Sequence, residues 1–114
     1  MSKVRLSKEA YEQSTYVINV IVEDENGVAV TPVSLTWTLS DLKGNIVNSR
    51  EDEVVNTPTA SNDIVLSGDD LQILGSAPKE TRVFTVEGTY NGSLGSDLPF
   101  TGKTYFVIRN LAVV

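Results

Sequence analysis

Few residues in this chain could carry out chemistry, because it contains neither cysteine nor histidine. Their absence excludes a thiol nucleophile, a histidine-based triad and a zinc site built from those two residue types. Carboxylates remain, and a pair of them in one cleft could act as general acid and base. The two clusters considered for such a pair are Glu51-Asp52-Glu53 and Asp69-Asp70. We expect the first to be a solvated run and the second to lie at a helix end, so the sequence predicts no enzyme, no catalytic residue and no cofactor.

Calcium binding is the one metal chemistry left open, since calcium takes several oxygen ligands held in a loop. Asp24 and Asp97 would approach each other if the loops that contain them share one end of the fold. The segment around Asp24 lacks the ligand spacing and the terminal glutamate of an EF-hand. We therefore expect an ordinary turn there and no bound metal.

The best candidate for a binding segment is residues 91–102, NGSLGSDLPFTG, which is polar, rich in glycine and interrupted by apolar side chains. Loops on a rigid scaffold often carry recognition, and apolar residues exposed on a loop indicate a partner. The candidate contact residues are Leu94, Asp97, Leu98 and Phe100. The alternative is that Leu98 and Phe100 fold back onto the core.

The N-terminal segment is a second candidate contact. Lys3, Arg5 and Lys8 place three positive charges within the first eight residues of an acidic chain. A basic arm of this kind could reach an acidic neighbouring subunit. The alternative is a terminus that frays or forms an edge strand. Exposed sheet edges invite pairing between chains, so a homo-oligomer also stays open.

Charge and hydropathy disfavour several other kinds of partner. The 114 residues include 9 basic and 15 acidic side chains, a formal net charge of −6, whereas nucleic-acid binding needs a basic surface. No stretch approaches the roughly 20 apolar residues that span a bilayer. The opening residues MSKVRLSKEAYEQS lack the apolar centre of a signal peptide. We expect no nucleic-acid or membrane partner, and synthesis in the cytoplasm without secretion.

Strands must position the candidate contact residues, because apolar and polar residues alternate with a period of two. Residues 33–40, VSLTWTLS, are the clearest case: Val33 and every second residue after it are apolar, which places Trp37 at the centre of the predicted core. The same alternation and β-branched residues predict further strands. The full set covers residues 3–6, 15–23, 33–40, 45–49, 63–67, 81–90 and 103–113.

Turn residues separate these strands. Residues 24–27 and 41–44 both read Asp-x-x-Gly, with aspartate opening the turn and glycine where φ is positive. Residues 67–71, SGDDL, predict one helical turn capped by the serine. In the strand over residues 81–90 the alternate side chains are expected to face inward, except for Arg82.

Short strands, frequent turns and no long helix predict an all-β fold in a single domain, residues 1–114. The expected fold class is an immunoglobulin-like or fibronectin-III-like β-sandwich of about seven strands, with one short helical turn between the fifth and sixth strands. The cysteine pair of antibody domains is missing, and the tyrosine corner is absent or altered because no tyrosine lies near the start of the sixth strand. A small closed barrel is the alternative, since periodicity does not distinguish two packed sheets from one closed sheet.

Residues 20–47, VIVEDENGVAVTPVSLTWTLSDLKGNIV, resemble small Ig-like domains of tailed-bacteriophage structural proteins. The shared pattern is an apolar strand, a first Asp-x-x-Gly, a proline, an alternating strand with tryptophan and a second Asp-x-x-Gly. In this chain those positions are Asp24, Gly27, Pro32, Trp37, Asp41 and Gly44. The C-terminal GTYNG…YFVIRNL, residues 88–111, is similar to the matching hairpin.

The resemblance implies a non-enzymatic virion protein of the head, neck or tail that acts by protein–protein contact. Its partners would be other virion proteins and its location the virion. The family pattern carries no catalytic residues. The alternative function is a β-sandwich module that binds carbohydrate or a cell surface through its loops, for which Phe100 is the one aromatic residue those loops offer.

Overall fold

The computed structural model describes residues 2–6, 10–75 and 78–110, and these residues form an all-β structure with one 3₁₀ turn. Lys8 and residues 111–113 of the last predicted strand lie outside the described residues. The strands are β1 (Ser2–Leu6), β2 (Ala10–Tyr11), β3 (Thr15–Val22), β4 (Ser34–Ser40), β5 (Glu53–Val54), β6 (Ser61–Ser67), β7 (Lys79–Gly92) and β8 (Gly95–Arg109). The 3₁₀ turn, Gly68–Leu71, lies between β6 and β7.

The strands form two sheets, in the orders β1-β3-β6 and β2-β8-β7-β4-β5. Every pairing is antiparallel except that of β2 with β8. Buried apolar side chains from both sheets meet in one core. No ladder joins the two sheets within the described residues, which fits a β-sandwich and not a single closed barrel.

Period-two alternation builds the core, as predicted. β3 buries every second side chain along its length, and β4 does the same. Trp37 on β4 is 8% exposed and its ring lies 5.6 Å from that of Phe84, so its prediction as a core residue is confirmed. Val33 was expected on the same buried face but is exposed, because β4 begins one residue later.

The predicted strand over residues 45–49 is wrong. Ile46 forms only an isolated bridge, and the consecutive residues Asn48 and Ser49 both have positive φ, which a regular strand does not accommodate. The chain therefore turns here, and the strand that pairs with β4 on the side away from β7 is β5, which begins eight residues further on. Glu53 belongs to β5, so the acidic run 51–53 ends in a short edge strand.

Both Asp-x-x-Gly turns form as predicted. In each, the aspartate Oδ1 accepts hydrogen bonds from the backbone N–H groups two and four residues later, at 2.8 to 3.0 Å. Gly27 and Gly44 have φ of +78° and +89°, a region that glycine enters at no steric cost. These bonds hold the pKa of Asp41 below its ordinary value, since Asn45 and Lys43 donate to the carboxylate.

The helical turn after Ser67 is confirmed and contains Asp70, but the burial of Asp70 was not predicted. Its carboxylate is fully buried and accepts hydrogen bonds from Arg50 Nε at 2.7 Å, Asn48 Nδ2 at 2.9 Å and the Ser67 backbone N–H at 3.1 Å. Burial raises the pKa of Asp70, but these hydrogen bonds and the charge of Arg50 outweigh it and leave the pKa below its ordinary value. The same guanidinium lies 5.6 Å from the centre of the Trp37 ring.

Arg82 is a second buried charge, and the prediction that it does not face inward is wrong. It is 2% exposed. Its Nη2 lies 2.6 Å from Glu80 Oε1 and donates to the Gln72 carbonyl at 2.9 Å, while Nη1 donates to the Thr81 carbonyl at 3.0 Å. A charge can be buried when it is paired and hydrogen-bonded in this way.

Candidate functional site

The predicted glycine-rich loop over residues 91–102 is part of a β-hairpin, which corrects that prediction. β7 and β8 pair antiparallel as far as Gly92↔Gly95, so only Ser93 and Leu94 remain in the turn. Glycine permits the tight connection. Residues 91–102 have the composition of a flexible loop, but most of them are ordered by pairing between β7 and β8.

The end of this hairpin extends past its neighbour in the sheet. We call residues 91–97 the hairpin tip, because β4 pairs with β7 only as far as Ser34↔Thr89. Leu94 in the turn is 76% exposed, the highest value among the large apolar side chains that the structure describes. The tip therefore presents an apolar side chain where no other strand of the sheet covers it.

A β-bulge shapes the tip. The register shifts between the last regular pairs, so Asn91 of β7 faces both Ser96 and Asp97 of β8. Asp97 has φ of +52°, and its backbone N–H donates to the Asn91 side-chain oxygen at 3.0 Å. Aspartate tolerates this left-handed conformation better than most residues. Asp97 thus shapes the backbone of the tip, a role that the sequence did not reveal.

The part of the hairpin next to the tip belongs to the core. This confirms the alternative expectation that Leu98 and Phe100 fold back onto the core. Phe100 is buried with its ring 6.3 Å from that of Tyr90, and the half-buried Leu98 packs against the same cluster. Gly88 lies opposite Phe100 in the ladder. A Cβ at Gly88 would lie 2.8 Å from the Phe100 ring and would collide with the Ser34 carbonyl oxygen.

The loop between β3 and β4 meets the hairpin, as expected for loops that share one end of the fold. The Tyr90 hydroxyl donates to Glu25 Oε1 at 3.3 Å, and a Cβ on Gly92 would lie 3.0 Å from the same oxygen. Burial and the negative charge of Glu25 raise the pKa of Tyr90. Sequence reasoning missed Glu25, because no local pattern marks one acid of a loop as a contact for a strand so far along the chain.

Calcium binding at Asp24 and Asp97 gains no support from the structure. Within the ranges 10–75 and 78–110, no group of three or more metal-ligating side chains could hold an ion. The Asp24 carboxylate accepts hydrogen bonds from the backbone of its own turn. Asp97 contributes its backbone to the bulge described above.

The basic N-terminal residues that are described lie in a strand, which confirms the edge-strand alternative for residues 3–6. β1 pairs antiparallel with β3, with Lys3 opposite Ile21 and Arg5 opposite Asn19. Lys8 lies outside the described residues. β1 belongs to a different sheet from the hairpin, and it contacts β8 across the core.

The outer edge of β6 ends its sheet and is protected at both ends. Thr59 Oγ1 donates to the Ser61 carbonyl at 2.6 Å, and the Ser67 N–H donates to the Asp70 carboxylate at 3.1 Å. Backbone groups engaged in this way are not free to pair with another chain. The hairpin tip, in contrast, presents a large apolar side chain that is 76% exposed.

Comparison with known proteins found no matching protein-family model, no matching curated protein and no matching solved structure. In the described part of the chain, no helix has the length and apolar character needed to cross a membrane. The functional proposal therefore depends on the geometry of the hairpin tip and on the residues that carry the resemblance.

Proposed function

We propose that the chain is an Ig-like structural protein of a tailed-bacteriophage particle, without enzymatic activity, that attaches to a neighbouring virion protein through the hairpin tip. The exposure of Leu94 at the end of an ordered hairpin is the observation that carries this proposal. Burying such a side chain in a contact stabilises the complex by about 1.5–3 kcal/mol. Because β7 and β8 are already paired up to the turn that contains Leu94, binding would require little further ordering of the chain.

The order of the strands supports the Ig-like part of the proposal. β1, β3 and β6 correspond to strands A, B and E, and β8, β7, β4 and β5 correspond to G, F, C and C′. Trp37 lies on the strand that corresponds to C and packs in the core. Trp37 is also one of the positions through which residues 20–47 resemble the phage domains.

Carbohydrate binding through the same loops is the weaker alternative. Sugar recognition by such loops would use an exposed aromatic side chain, and Phe100, the one aromatic residue in the predicted loop, is buried against Tyr90. The tip itself offers an aliphatic side chain, which favours a protein surface. A glycan array probed with the full chain separates the two, since a specific hit would favour the carbohydrate module.

The proposal is tested by placing a photo-crosslinking amino acid at position 94 of the full chain, produced in the host that assembles the particles. Position 65 is the matched control, because Val65 is also exposed but lies on β6. We expect the chain in purified particles, with a crosslink to one virion protein from position 94 and none from position 65. Absence of the chain from the particles, or equal crosslinking from both positions, contradicts the proposal.

A further inference from the structure

The outer face of the larger sheet carries exposed cations at the end away from the hairpin tip. Lys79 of β7 and Tyr11 of β2 both pair with Arg109 of β8, so these three side chains form a row on one face. Lys103 lies on the same face six residues earlier on β8, roughly 20 Å away at the rise of a strand. We call this surface the basic face, and it consists of Tyr11, Lys79, Lys103, Tyr105, Val107 and Arg109.

Apolar surface lies between these cations. Tyr105 is 52% exposed and pairs with the buried Val83, and the half-buried Val107 is the next residue of β8 on this face. The Lys103 Nζ lies 5.8 Å from the centre of the Tyr105 ring. Tyrosine and arginine are enriched in protein–protein interfaces. The basic face therefore has the composition of a contact surface, with an apolar centre and cationic margins.

The positive charge of the basic face is not neutralised locally. Lys79 and Lys103 form no ion pair within residues 2–6, 10–75 and 78–110. The Glu80 carboxylate is held by a buried guanidinium and two backbone N–H groups. Glu12 and Glu87 lie at the margins, the first directly after β2 and the second on the next pair beyond that of Lys103. Three cations are thus grouped on one face of a chain with a net charge of −6.

The end of the molecule that contains the hairpin tip has the opposite charge. The loop beside the tip contributes Glu23, Asp24 and Glu25, and the tip contributes Asp97. Residues 19–42 and 84–102 contain no lysine or arginine. The exposed Leu94 therefore has anionic side chains around it, which makes the tip complementary to the basic face in both charge and apolar character.

We infer that the tip of one copy of this chain docks on the basic face of a second copy. Leu94 packs against Tyr105 and Val107 of the next copy, and the acidic side chains around the tip lie among its cations. The inference rests on the part of the proposed function that makes the tip a contact, and it names the partner.

This contact joins two different surfaces of the same chain. Lys79 and Gly92 are the two ends of β7, roughly 44 Å apart at the rise of a strand. A contact between unlike surfaces does not close at the dimer, because each added copy leaves one tip and one basic face unoccupied. The inference therefore predicts assemblies larger than a dimer.

The first test is the mass of the purified full chain in solution, measured by size-exclusion chromatography with light scattering from micromolar to millimolar chain. In about 0.05 M salt we expect masses that rise with concentration beyond twice the 12.4 kDa of one chain. In about 0.5 M salt the masses should fall, because salt screens the attraction between the acidic tip and the cations.

Single substitutions assign the association to the two surfaces. Lys103→Glu on the basic face and Leu94→Ser at the tip should each weaken it about tenfold or more. Both side chains are exposed, and circular dichroism checks that the variants fold. Lys43→Glu is the matched control, since it changes the net charge by the same amount in an exposed turn outside both surfaces, and it should assemble like the original chain.

Mixing the two variants distinguishes this contact from a symmetric one. The Lys103→Glu chain keeps a working tip, and the Leu94→Ser chain keeps a working basic face. An equimolar mixture should form a one-to-one dimer and nothing larger, because one tip and one face remain to meet each other. A contact between identical surfaces would not be restored in this way.

The inference is overturned by a chain that stays monomeric at millimolar concentration in low salt. It is also overturned if either variant assembles alone, if Lys43→Glu loses assembly equally, or if the mixture stays monomeric. A monomeric chain that crosslinks from position 94 to a different virion protein would contradict this inference and support the proposed function. Assembly in solution by a chain that is absent from the particles would do the reverse.

Discussion

The two ends of the β7–β8 hairpin are held in place by different interactions. Near the tip, the strands are fixed by apolar packing: Phe100 lies against Tyr90, and the contact from the neighbouring loop is the Glu25 carboxylate on the Tyr90 hydroxyl. Towards the opposite end, charges are buried, with Arg82 paired to Glu80 and Asp70 bonded to Arg50. Apolar packing follows from residue type, whereas the burial of a charge depends on a particular partner.

This difference determines how each end responds to change. Apolar packing loses free energy in proportion to the atoms removed. A buried ion pair adds little net stability, but removing one partner is costly because the other charge is left uncompensated. The charged end is therefore sensitive to single substitutions and to acid. The exposed residue at the tip carries none of this stability and is free to serve a contact.

The largest expected effect comes from the core between the two ends. Trp37→Ala should lower the free energy of unfolding by about 3–5 kcal/mol, because the ring is buried against Phe84 and its removal leaves a cavity. Urea unfolding followed by circular dichroism measures the loss. A change below about 1 kcal/mol would place Trp37 outside the core.

The buried charge at the end opposite the tip gives the next largest effect. Asp70→Ala should cost about 2–3 kcal/mol, since Asn48 and the Ser67 N–H lose their acceptor and Arg50 keeps only its bond to Glu53. Asp69, the exposed neighbour in the same turn, is the matched control, and Asp69→Ala should change stability by less than about 0.5 kcal/mol. Equal losses in the two variants would contradict the pairing described for Asp70.

The apolar end is tested by adding one methyl group. Gly88→Ala should cost about 1–3 kcal/mol, because the new Cβ overlaps the Ser34 backbone and crowds the Phe100 ring. The loss of stability is measured as a lower midpoint temperature of thermal unfolding. An unchanged midpoint would mean that the ring and the backbone at this position are not fixed as described.

Acid should destabilise the charged end through Asp70. The folded-state pKa of this carboxylate lies below its ordinary value, so its contribution to stability is fully present above about pH 4 and is lost as the pH falls through the folded-state pKa. We expect a plot of unfolding free energy against pH to decline below pH 4, and to decline less steeply in Asp70→Asn. Parallel curves for the two proteins would rule out Asp70 as a source of the decline.

Much of the fold could be predicted because alternation is a local signal. β3, β4 and most of β7 follow from every second residue being apolar, and both Asp-x-x-Gly turns follow from the side chain and the glycine they need. The strand predicted at residues 45–49 failed because the chain bends there through positive φ at Asn48 and Ser49. Asparagine and serine also occur in strands and ordinary turns, so their presence did not predict positive φ at these positions.

The buried charges could not be predicted, because burial of a charge depends on a partner that local pattern does not reveal. Arg50 is 20 residues from Asp70 in the chain, and two of the hydrogen-bond acceptors of Arg82 are backbone carbonyls. At the candidate site, the apolar character of Leu94 was visible in the sequence. The hairpin was not, since residues 91–102 have the composition of a loop and become strand only through their pairing.

The central claim is that the hairpin tip serves a contact with a partner and does not stabilise the fold. This claim is tested most directly at Leu94. Leu94→Ser should leave the free energy of unfolding within about 0.5 kcal/mol of the original, because the side chain is 76% exposed. We measure, in particles purified from the assembling host, the amount of the chain incorporated per particle for the original and for this variant. The account predicts a folded variant that is depleted from the particles. Normal incorporation of the folded variant would contradict it.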